Sequence, residues 1–174
     1  PKSSGAKQIQ IVYGIQNEPN GIAYGLFIAE DYIGNDDCVL FLGDNIFLDD
    51  ITPAIKKFKK GATVFLKKVR DGKRFGIAEV KRGKIISLEE KPAKPKGDLA
   101  VTGLYVYDNT VFKKIRKIPP SDRGEYEITD VNKLYLEENS LHFNILEKEW
   151  FDIGTVESLH TASQFMKMKK RHEK

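Results

Sequence analysis

The sequence predicts an α/β protein in which helices flank a mostly parallel sheet. Two observations support this prediction. Short apolar runs of strand length alternate along the chain with segments whose apolar residues recur every three or four positions, as in an amphipathic helix. In addition, residues 38–42 (CVLFL) contain no polar side chain, which is typical of a strand buried on both faces of a parallel sheet. Alternation of strand and helix indicates an α/β fold.

The first half of the chain contains the elements on which this fold class rests. Residues 8–13 alternate polar and β-branched side chains and are predicted to form a strand. Asn20 is a suitable N-cap for a helix that ends before Gly34. The remaining predicted elements of this half are the strands at 38–42 and 62–68 and a short helix at 52–59.

The second half begins with a β-hairpin. Residues 75–90 alternate apolar and polar side chains around Arg82-Gly83, where the glycine supplies the turn. Further predicted elements are strands at 101–107 and 141–147, helices at 109–117 and 127–138, and a last helix that runs from Thr155 into the basic tail.

Length and charge favour a single globular domain over residues 1–174. The chain has 174 residues and a hydrophobic fraction of 40%, which suffices for one well-buried core. Its 29 basic and 25 acidic residues give a formal charge of +4. The excess lies mainly in the tail, where aromatic residues do not alternate with the lysines. We therefore expect a solvated helix end and no nucleic acid partner.

The cysteine count and the apolar pattern bear on the compartment. Cys38 is the single cysteine of the chain, so it has no internal disulfide partner. No stretch approaches the roughly 20 apolar residues of a membrane span, and the first residues have no apolar core like that of a signal peptide. We expect a cytoplasmic protein with no membrane association.

Two aspartates are candidate metal ligands. Asp44 directly follows the apolar run 38–42, and Asp152 precedes a predicted helix start at Thr155. Each could simply form a turn or a helix cap. An uncompensated carboxylate beside an apolar strand is costly, however, so a cation is a natural partner. The two aspartates, with no cluster of histidines, suit Mg²⁺ better than zinc.

Two further polar groups are candidate ligand contacts. The segment Glu89-Glu90-Lys91-Pro92 closes the hairpin and could be a solvated turn. Alternatively, its carboxylates could accept hydrogen bonds from sugar hydroxyls and its lysine could bind a phosphate. Gln16 could be an ordinary loop residue, or its amide could read the edge of a nucleobase.

Seven segments together resemble a known family. In chain order these are QNEPNGIA, FLGDN, FGIAEV, LEEKP, VTGLYVYD, RGEYEITDVN and WFDIGT. They are similar in order and spacing to segments of bacterial and archaeal glucose-1-phosphate thymidylyltransferases, which are nucleoside-diphosphate-sugar pyrophosphorylases. The resemblance covers nearly the whole chain. It implies a Rossmann-like nucleotidyltransferase core with a β-hairpin insertion.

The resemblance also implies an activity and its residues. Members join dTTP and glucose 1-phosphate into a nucleotide sugar, dTDP-glucose, release pyrophosphate, and require Mg²⁺. Motif by motif, Asp44 and Asp152 match the metal ligands and Gln16 and Gly21 match the contacts to the base. Catalytic roles are implied for Lys91 and both aspartates. Sugar-phosphate contacts are implied at Gly76, Glu90, Lys91 and Tyr105, with Val101 and Thr102 in the same wall. For Arg123, Glu125 and Asp130 only a structural role is implied.

The resemblance lacks one part of the family pattern. Members open with a strand and a glycine-rich loop that carries an arginine and, further on, a lysine, and no such segment precedes residues 8–13 here. We therefore expect a domain truncated at its N-terminus, with little activity by itself and an exposed sheet edge that favours a homo-oligomer. The alternative functions are a UTP-dependent uridylyltransferase and a non-catalytic domain that binds nucleotide sugars.

Overall fold

The computed structural model of the chain describes residues 9–172. The helices are α1 (Ile22–Ile28), α2 (Glu30–Ile33), α3 (Thr52–Lys57), α4 (Val111–Ile115), α5 (Ile128–Glu137) and α6 (Val156–His172). The strands are β1 (Cys38–Phe41), β2 (Asn45–Phe47), β3 (Ala62–Lys68), β4 (Gly76–Lys81), β5 (Lys84–Glu90), β6 (Leu99–Tyr107), β7 (Leu141–Ile145) and β8 (Trp150–Asp152). No helix of this part of the chain is long and apolar enough to cross a membrane.

The main sheet has six strands and is built around the long strand β6. Its order is β5-β4-β6-β3-β7, and β1 also pairs with β6. The pair β3–β7 is parallel, and the other pairs in this sheet are antiparallel. Strands β2 and β8 form a separate two-stranded antiparallel sheet.

One edge of β6 is divided between two partner strands. At its start, Leu99 and Ala100 pair with β4, whereas β1 pairs with the last residues, from Leu104 to Tyr107. Residues 101–103 lie in the gap between the two partners and are in register with neither. The sheet therefore forks at these residues, and the fork leaves an opening beside β6.

The core lies on both faces of the sheet because successive strand residues point to opposite sides. Val64 and Tyr107 belong to the larger apolar cluster, which packs against α1, α4 and α5. Phe65 and Leu104 belong to a smaller cluster on the other face, beside α3 and Trp150. The period of two in β3 and β6 thus supplies both layers.

Most predicted elements are confirmed within a few residues. The hairpin is β4–β5 with its turn at Arg82 and Gly83, both at positive φ. The final helix is capped by Thr155, whose Oγ1 accepts the Ser158 amide at 3.2 Å. The helix predicted at 20–33 is interrupted at Ala29, and its N-cap is Gly21, so the prediction of Asn20 as the cap was wrong.

Two strand predictions were wrong. Of the predicted strand at 8–13, Gln8 lies outside the described residues, and residues 9–13 form no strand. A strand requires a neighbour to complete its hydrogen bonds, and the described residues provide none for this segment. Strand β1 exists, but it is an edge strand that leaves Val39 and Phe41 exposed, not a strand buried on both faces.

The α/β class with flanking helices is confirmed, but the sheet is not mostly parallel among the described residues. Local alternation cannot specify strand direction, and here β6 follows the hairpin and runs antiparallel to three neighbours. The three-residue strands β2 and β8 were not predicted, because elements this short have no readable period.

We predict that Gly61→Ala destabilises the chain by more than Gly83→Ala. Both glycines have positive φ, which strains any residue with a Cβ by about 1–3 kcal/mol. A Cβ at Gly61 would also lie 2.2 Å from the Ser140 carbonyl oxygen, where β7 begins, whereas nothing lies within 4 Å of a Cβ at Gly83. Overpacking adds about 1–3 kcal/mol. Urea unfolding of both variants measures the difference, and equal losses of stability would contradict the clash.

Candidate functional site

A cavity of about 250 Å³ opens at the fork in the sheet. It brings together eight residues singled out in the sequence, from five separate segments. They are Asp44, Gly76, Glu90, Lys91, Val101, Thr102, Tyr105 and Asp152. The cavity therefore contains acidic, basic, hydroxyl and aromatic groups in one space.

Asp44 and Asp152 converge at one side of this cavity. The β2–β8 pairing sets Asn45 opposite Asp152, and the Ile153 amide donates to the Asp44 carbonyl at 2.8 Å. A Cβ built on Gly154 would lie 3.1 Å from Asp152 Oδ1 and 3.4 Å from Asp44 Oδ2. The absence of a side chain at Gly154 thus leaves a space that both carboxylates face.

The chemistry of these two carboxylates limits the metal that they could hold. Among residues 9–172 no group of three or more His, Cys, Asp or Glu side chains could hold a metal ion. A site with two carboxylates and open positions fits Mg²⁺, which retains waters and binds substrate phosphates. It does not fit a structural zinc site, which is closed by four protein ligands.

The Asn45 side chain occupies the gap in the fork. Its Oδ1 accepts from the Gly103 amide at 2.9 Å and from Trp150 Nε1 at 2.7 Å. Its Nδ2 donates to Asp44 Oδ1 at 2.9 Å. Since both donors require Oδ1, the amide has one orientation, and it fixes Asp44 relative to β6 and β8. A Cβ at Gly103 would lie 2.6 Å from this amide, so the position requires glycine.

Glu90 lines the same cavity and belongs to a network of ionic groups. Its carboxylate accepts from Thr129 Oγ1, and Arg123 lies 3.7 Å away. Arg123 also contacts Glu127 at 2.7 Å and Glu125 at 3.7 Å. Burial raises the pKa of Glu90 above its usual value, although the Thr129 hydrogen bond partly opposes the shift.

Three cations line the same cavity. Lys91 has a positive φ of 40°, and its amide donates to the Phe75 carbonyl at 3.0 Å, so the chain turns sharply where β5 ends. Arg74 lies over the Phe75 ring, which in turn packs edge-on against Trp150. With Arg123, these groups place three cations among the five carboxylates that line the cavity, namely Asp44, Glu90, Glu125, Glu127 and Asp152.

A second cavity, of about 410 Å³, adjoins the first and is more apolar. Gln16 and Gly21 line it, together with Pro19, Gly25, Leu26 and Leu40. Three residues line both cavities, namely Ile22, Leu42 and Glu125, so the two spaces are neighbours.

The geometry around Gln16 is set by two glycines. Gln16 Nε2 lies 3.4 Å from the Gly21 carbonyl oxygen, and a Cβ on Gly25 would lie 3.1 Å from its Oε1. Gly21 has φ of 96°, and a Cβ there would lie 2.6 Å from the Tyr126 carbonyl oxygen. The amide and a narrow backbone surface therefore face the apolar cavity.

Several residues of the first cavity were not identified from the sequence. Arg123 and Glu125 were assigned a structural role, yet both line it, whereas Asp130 forms an ion pair with Lys133 outside it. Asn45 was not among the candidate site residues. Arg74, Glu127, Thr129 and Trp150 were also missed. The last three lie within the quoted segments RGEYEITDVN and WFDIGT, but their place in the cavity depends on segments distant in the chain.

We predict that Glu90→Gln gains stability relative to the parent chain as the pH rises. A carboxyl group whose pKa is raised by folding favours the folded state below its unfolded pKa, and this contribution is lost as the pH rises through the folded value. The glutamine side chain of the variant has no charge to bury. The difference in melting temperature, variant minus parent, should be greater at pH 7 than at pH 4.

Glu89→Gln is the control, because it removes one negative charge from the same strand at an exposed position. A melting difference for Glu90→Gln that does not change with pH would contradict the assigned effect of burial.

Relatives of this chain were found by sequence. A family model described as nucleotidyl transferase matches residues 2–169. A glucose-1-phosphate thymidylyltransferase of Neisseria meningitidis is 46% identical over 165 residues, covering 91% of this chain and 57% of the relative. One from Mycolicibacterium smegmatis is 42% identical with the same coverage. The chain thus spans little more than half the length of these relatives.

Solved structures with a similar fold were also found. A Bacillus anthracis protein, provisionally assigned as a glucose-1-phosphate thymidylyltransferase and crystallised with sucrose, is 47% identical with a TM-score of 0.83. The similarity covers 88% of this chain and 64% of that one. A UDP-glucose pyrophosphorylase complexed with UDP-glucose has a TM-score of 0.78 at 22% identity and shares the fold. From the family match over nearly its whole length, the chain belongs to the nucleotidyl transferase family.

Proposed function

We propose that this chain forms the sugar-phosphate and nucleobase sites of an enzyme that joins dTTP and glucose 1-phosphate into dTDP-glucose and pyrophosphate. The observation that carries the proposal is the meeting of two different cavities. One is polar, with carboxylates and cations, and the other is mainly apolar, with the Gln16 amide and the shared Glu125 carboxylate. A nucleotide sugar has the matching parts, a polar hexose and diphosphate joined to a flat base.

The hexose belongs in the first cavity, beside Glu90. Carboxylates accept hydrogen bonds from sugar hydroxyls, and Thr129 holds the carboxylate in place. Gly76 lets the backbone approach closely, since a Cβ there would lie 3.0 Å from Thr129 Oγ1 and 3.2 Å from Glu90 Oε2. Val101, Thr102 and Tyr105 form the wall of β6 behind the sugar.

The phosphate of the sugar belongs near Lys91 and Arg123. These cations line the same cavity as the two aspartates. In the proposed reaction, an oxygen of the sugar phosphate attacks the α-phosphorus of dTTP in line, and pyrophosphate leaves. No protein nucleophile takes part, so these side chains act by orienting both phosphates and compensating their charge.

The thymine ring belongs in the second, more apolar cavity. Gln16 can donate to and accept from the edge of the base, and the apolar side chains around it suit a flat ring with a methyl group. Gly21 exposes its backbone to the same space.

The magnesium site is proposed at Asp44 and Asp152. The gap beside Gly154, which both carboxylates face, supports this assignment. Bound Mg²⁺ would neutralise charge on the phosphates. Asn45 holds Asp44 by one hydrogen bond and leaves its other carboxylate oxygen for the ion.

Calorimetric titration of dTDP-glucose into the chain tests the proposal. We expect binding, and we expect Gln16→Leu to weaken it roughly tenfold, the effect of losing a hydrogen bond to a buried polar group. Gln10→Leu is the control, because Gln10 is exposed in the same segment outside both cavities. No binding to the parent chain, or equal binding to both variants, would contradict the assigned base site.

The same titration separates the alternatives. Binding of UDP-glucose in preference to dTDP-glucose would favour a uridylyltransferase. Binding with no turnover of dTTP or UTP would favour a non-catalytic domain. The turnover assay should include a fusion protein in which this chain is joined to the further segments of a longer relative. The weak activity expected for the 174-residue chain alone stays a prediction.

We predict that Asp152→Asn weakens Mn²⁺ binding roughly tenfold or more in the presence of dTDP-glucose. Loss of even an outer-shell metal partner typically has an effect of that size. Mn²⁺ replaces Mg²⁺ and can be followed by electron paramagnetic resonance. Asp36→Asn, a change at an exposed aspartate outside the cavity, should bind as the parent does. Unchanged affinity in Asp152→Asn would refute the assigned ligand.

A further inference from the structure

We propose that Lys67 and Asp49 are positioning residues that set the place of Asp152 in the active site by holding the connection between β7 and β8 (residues 146–149). Neither side chain lines the first cavity. The inference rests on the proposed function, because it assigns a purpose to the placement of a residue proposed there as a metal ligand.

Lys67 binds the connection through its backbone carbonyl groups. Its ammonium group donates to the carbonyl oxygens of Leu146 at 3.2 Å, Glu147 at 3.1 Å and Lys148 at 2.5 Å. A lysine ammonium group has three protons, and here it has one carbonyl acceptor for each, on three consecutive residues. Hydrogen bonds from a charged donor are stronger than those between neutral groups.

Asp49 binds the same connection through its backbone N–H groups. Its Oδ1 accepts from the Glu147 amide at 3.1 Å, and its Oδ2 accepts from the Lys148 amide at 3.0 Å. The two peptide groups that join Leu146, Glu147 and Lys148 thus donate their N–H groups to an anion and accept from a cation at their oxygens. Both charged groups are distant from this connection in the sequence, so tertiary structure alone brings them together.

This arrangement acts on the site because the connection leads directly into β8. The Leu48 amide donates to the Glu149 carbonyl at 3.1 Å, and the next residue, Trp150, begins the strand that ends at Asp152. Since β8 has three residues and one partner strand, its own pairing offers little resistance to displacement. Lys67 and Asp49 restrain the residues that lead into it, in addition to the hydrogen bond between Trp150 and Asn45.

Trp150 gives a direct measure of this restraint. It is the single tryptophan of the chain, and it is held by the Asn45 hydrogen bond and by edge-on packing against Phe75. Its fluorescence therefore reports the position of β8 without requiring metal, substrate or activity.

Lys67→Met should leave β8 less firmly held. We expect increased acrylamide quenching of Trp150, faster amide hydrogen exchange at residues 147–152, and Mn²⁺ affinity weakened roughly tenfold in the presence of dTDP-glucose, as for loss of an outer-shell partner. Lys67→Arg keeps a cationic donor and should retain much of the parent's resistance to quenching, slow exchange and Mn²⁺ affinity. Asp49→Asn should change these three properties in the same direction as Lys67→Met.

Lys68→Met is the matched control. Lys68 is the next residue of β3, is exposed and pairs with Asp98, so its loss should leave Trp150 and residues 147–152 unchanged. If Lys67→Met matches the parent in quenching and exchange, or differs no more than Lys68→Met, the inference is wrong. If the parent chain binds no Mn²⁺, the proposed metal site fails, while quenching and exchange still decide the role of Lys67.

Discussion

The arrangement of the site depends on how the sheet satisfies one backbone amide at its fork. Strands β4 and β1 leave residues 101–103 of β6 without a strand in register on that edge, and a buried N–H group without an acceptor costs about 1–3 kcal/mol. Asn45 supplies the acceptor for the Gly103 amide. The same side chain accepts from Trp150 and donates to Asp44, so one amide joins the opening in the sheet to both segments that carry the aspartates.

The fork also explains why the cavity is polar although it adjoins the core. A continuous sheet would have covered residues 101–103 with another strand and apolar side chains. The gap instead admits side chains from β2, β5 and β8, among them Glu90 and Asp152. Arg123 is contacted by Glu125, Glu127 and Glu90, which offsets the charge that would otherwise concentrate there. A phosphate entering the cavity would compete with these carboxylates for the arginine.

Stability and binding make opposing demands on this site. Burial of Glu90 raises its pKa, which disfavours the charged form that would bind hydroxyls best as an acceptor. The Thr129 hydroxyl and the nearby Arg123 favour that charged form. Asp44 and Asp152 likewise share the space beside Gly154, where a cation would relieve their repulsion. Preorganised groups of this kind are costly in the free protein and useful when a charged ligand arrives.

The sequence by itself determined which segments form the main strands and helices and which polar residues stand at their ends. Periodicity marked β3 and the β4–β5 hairpin, and the motifs singled out Asp44, Glu90 and Asp152. Strand direction, the edge position of β1 and the short β2–β8 pair were decided by tertiary structure, because hydrogen-bond partners distant in the chain determine them. The roles of Asn45, Arg123 and Lys67 have the same origin, since each acts on distant segments that only the folded sheet brings within reach.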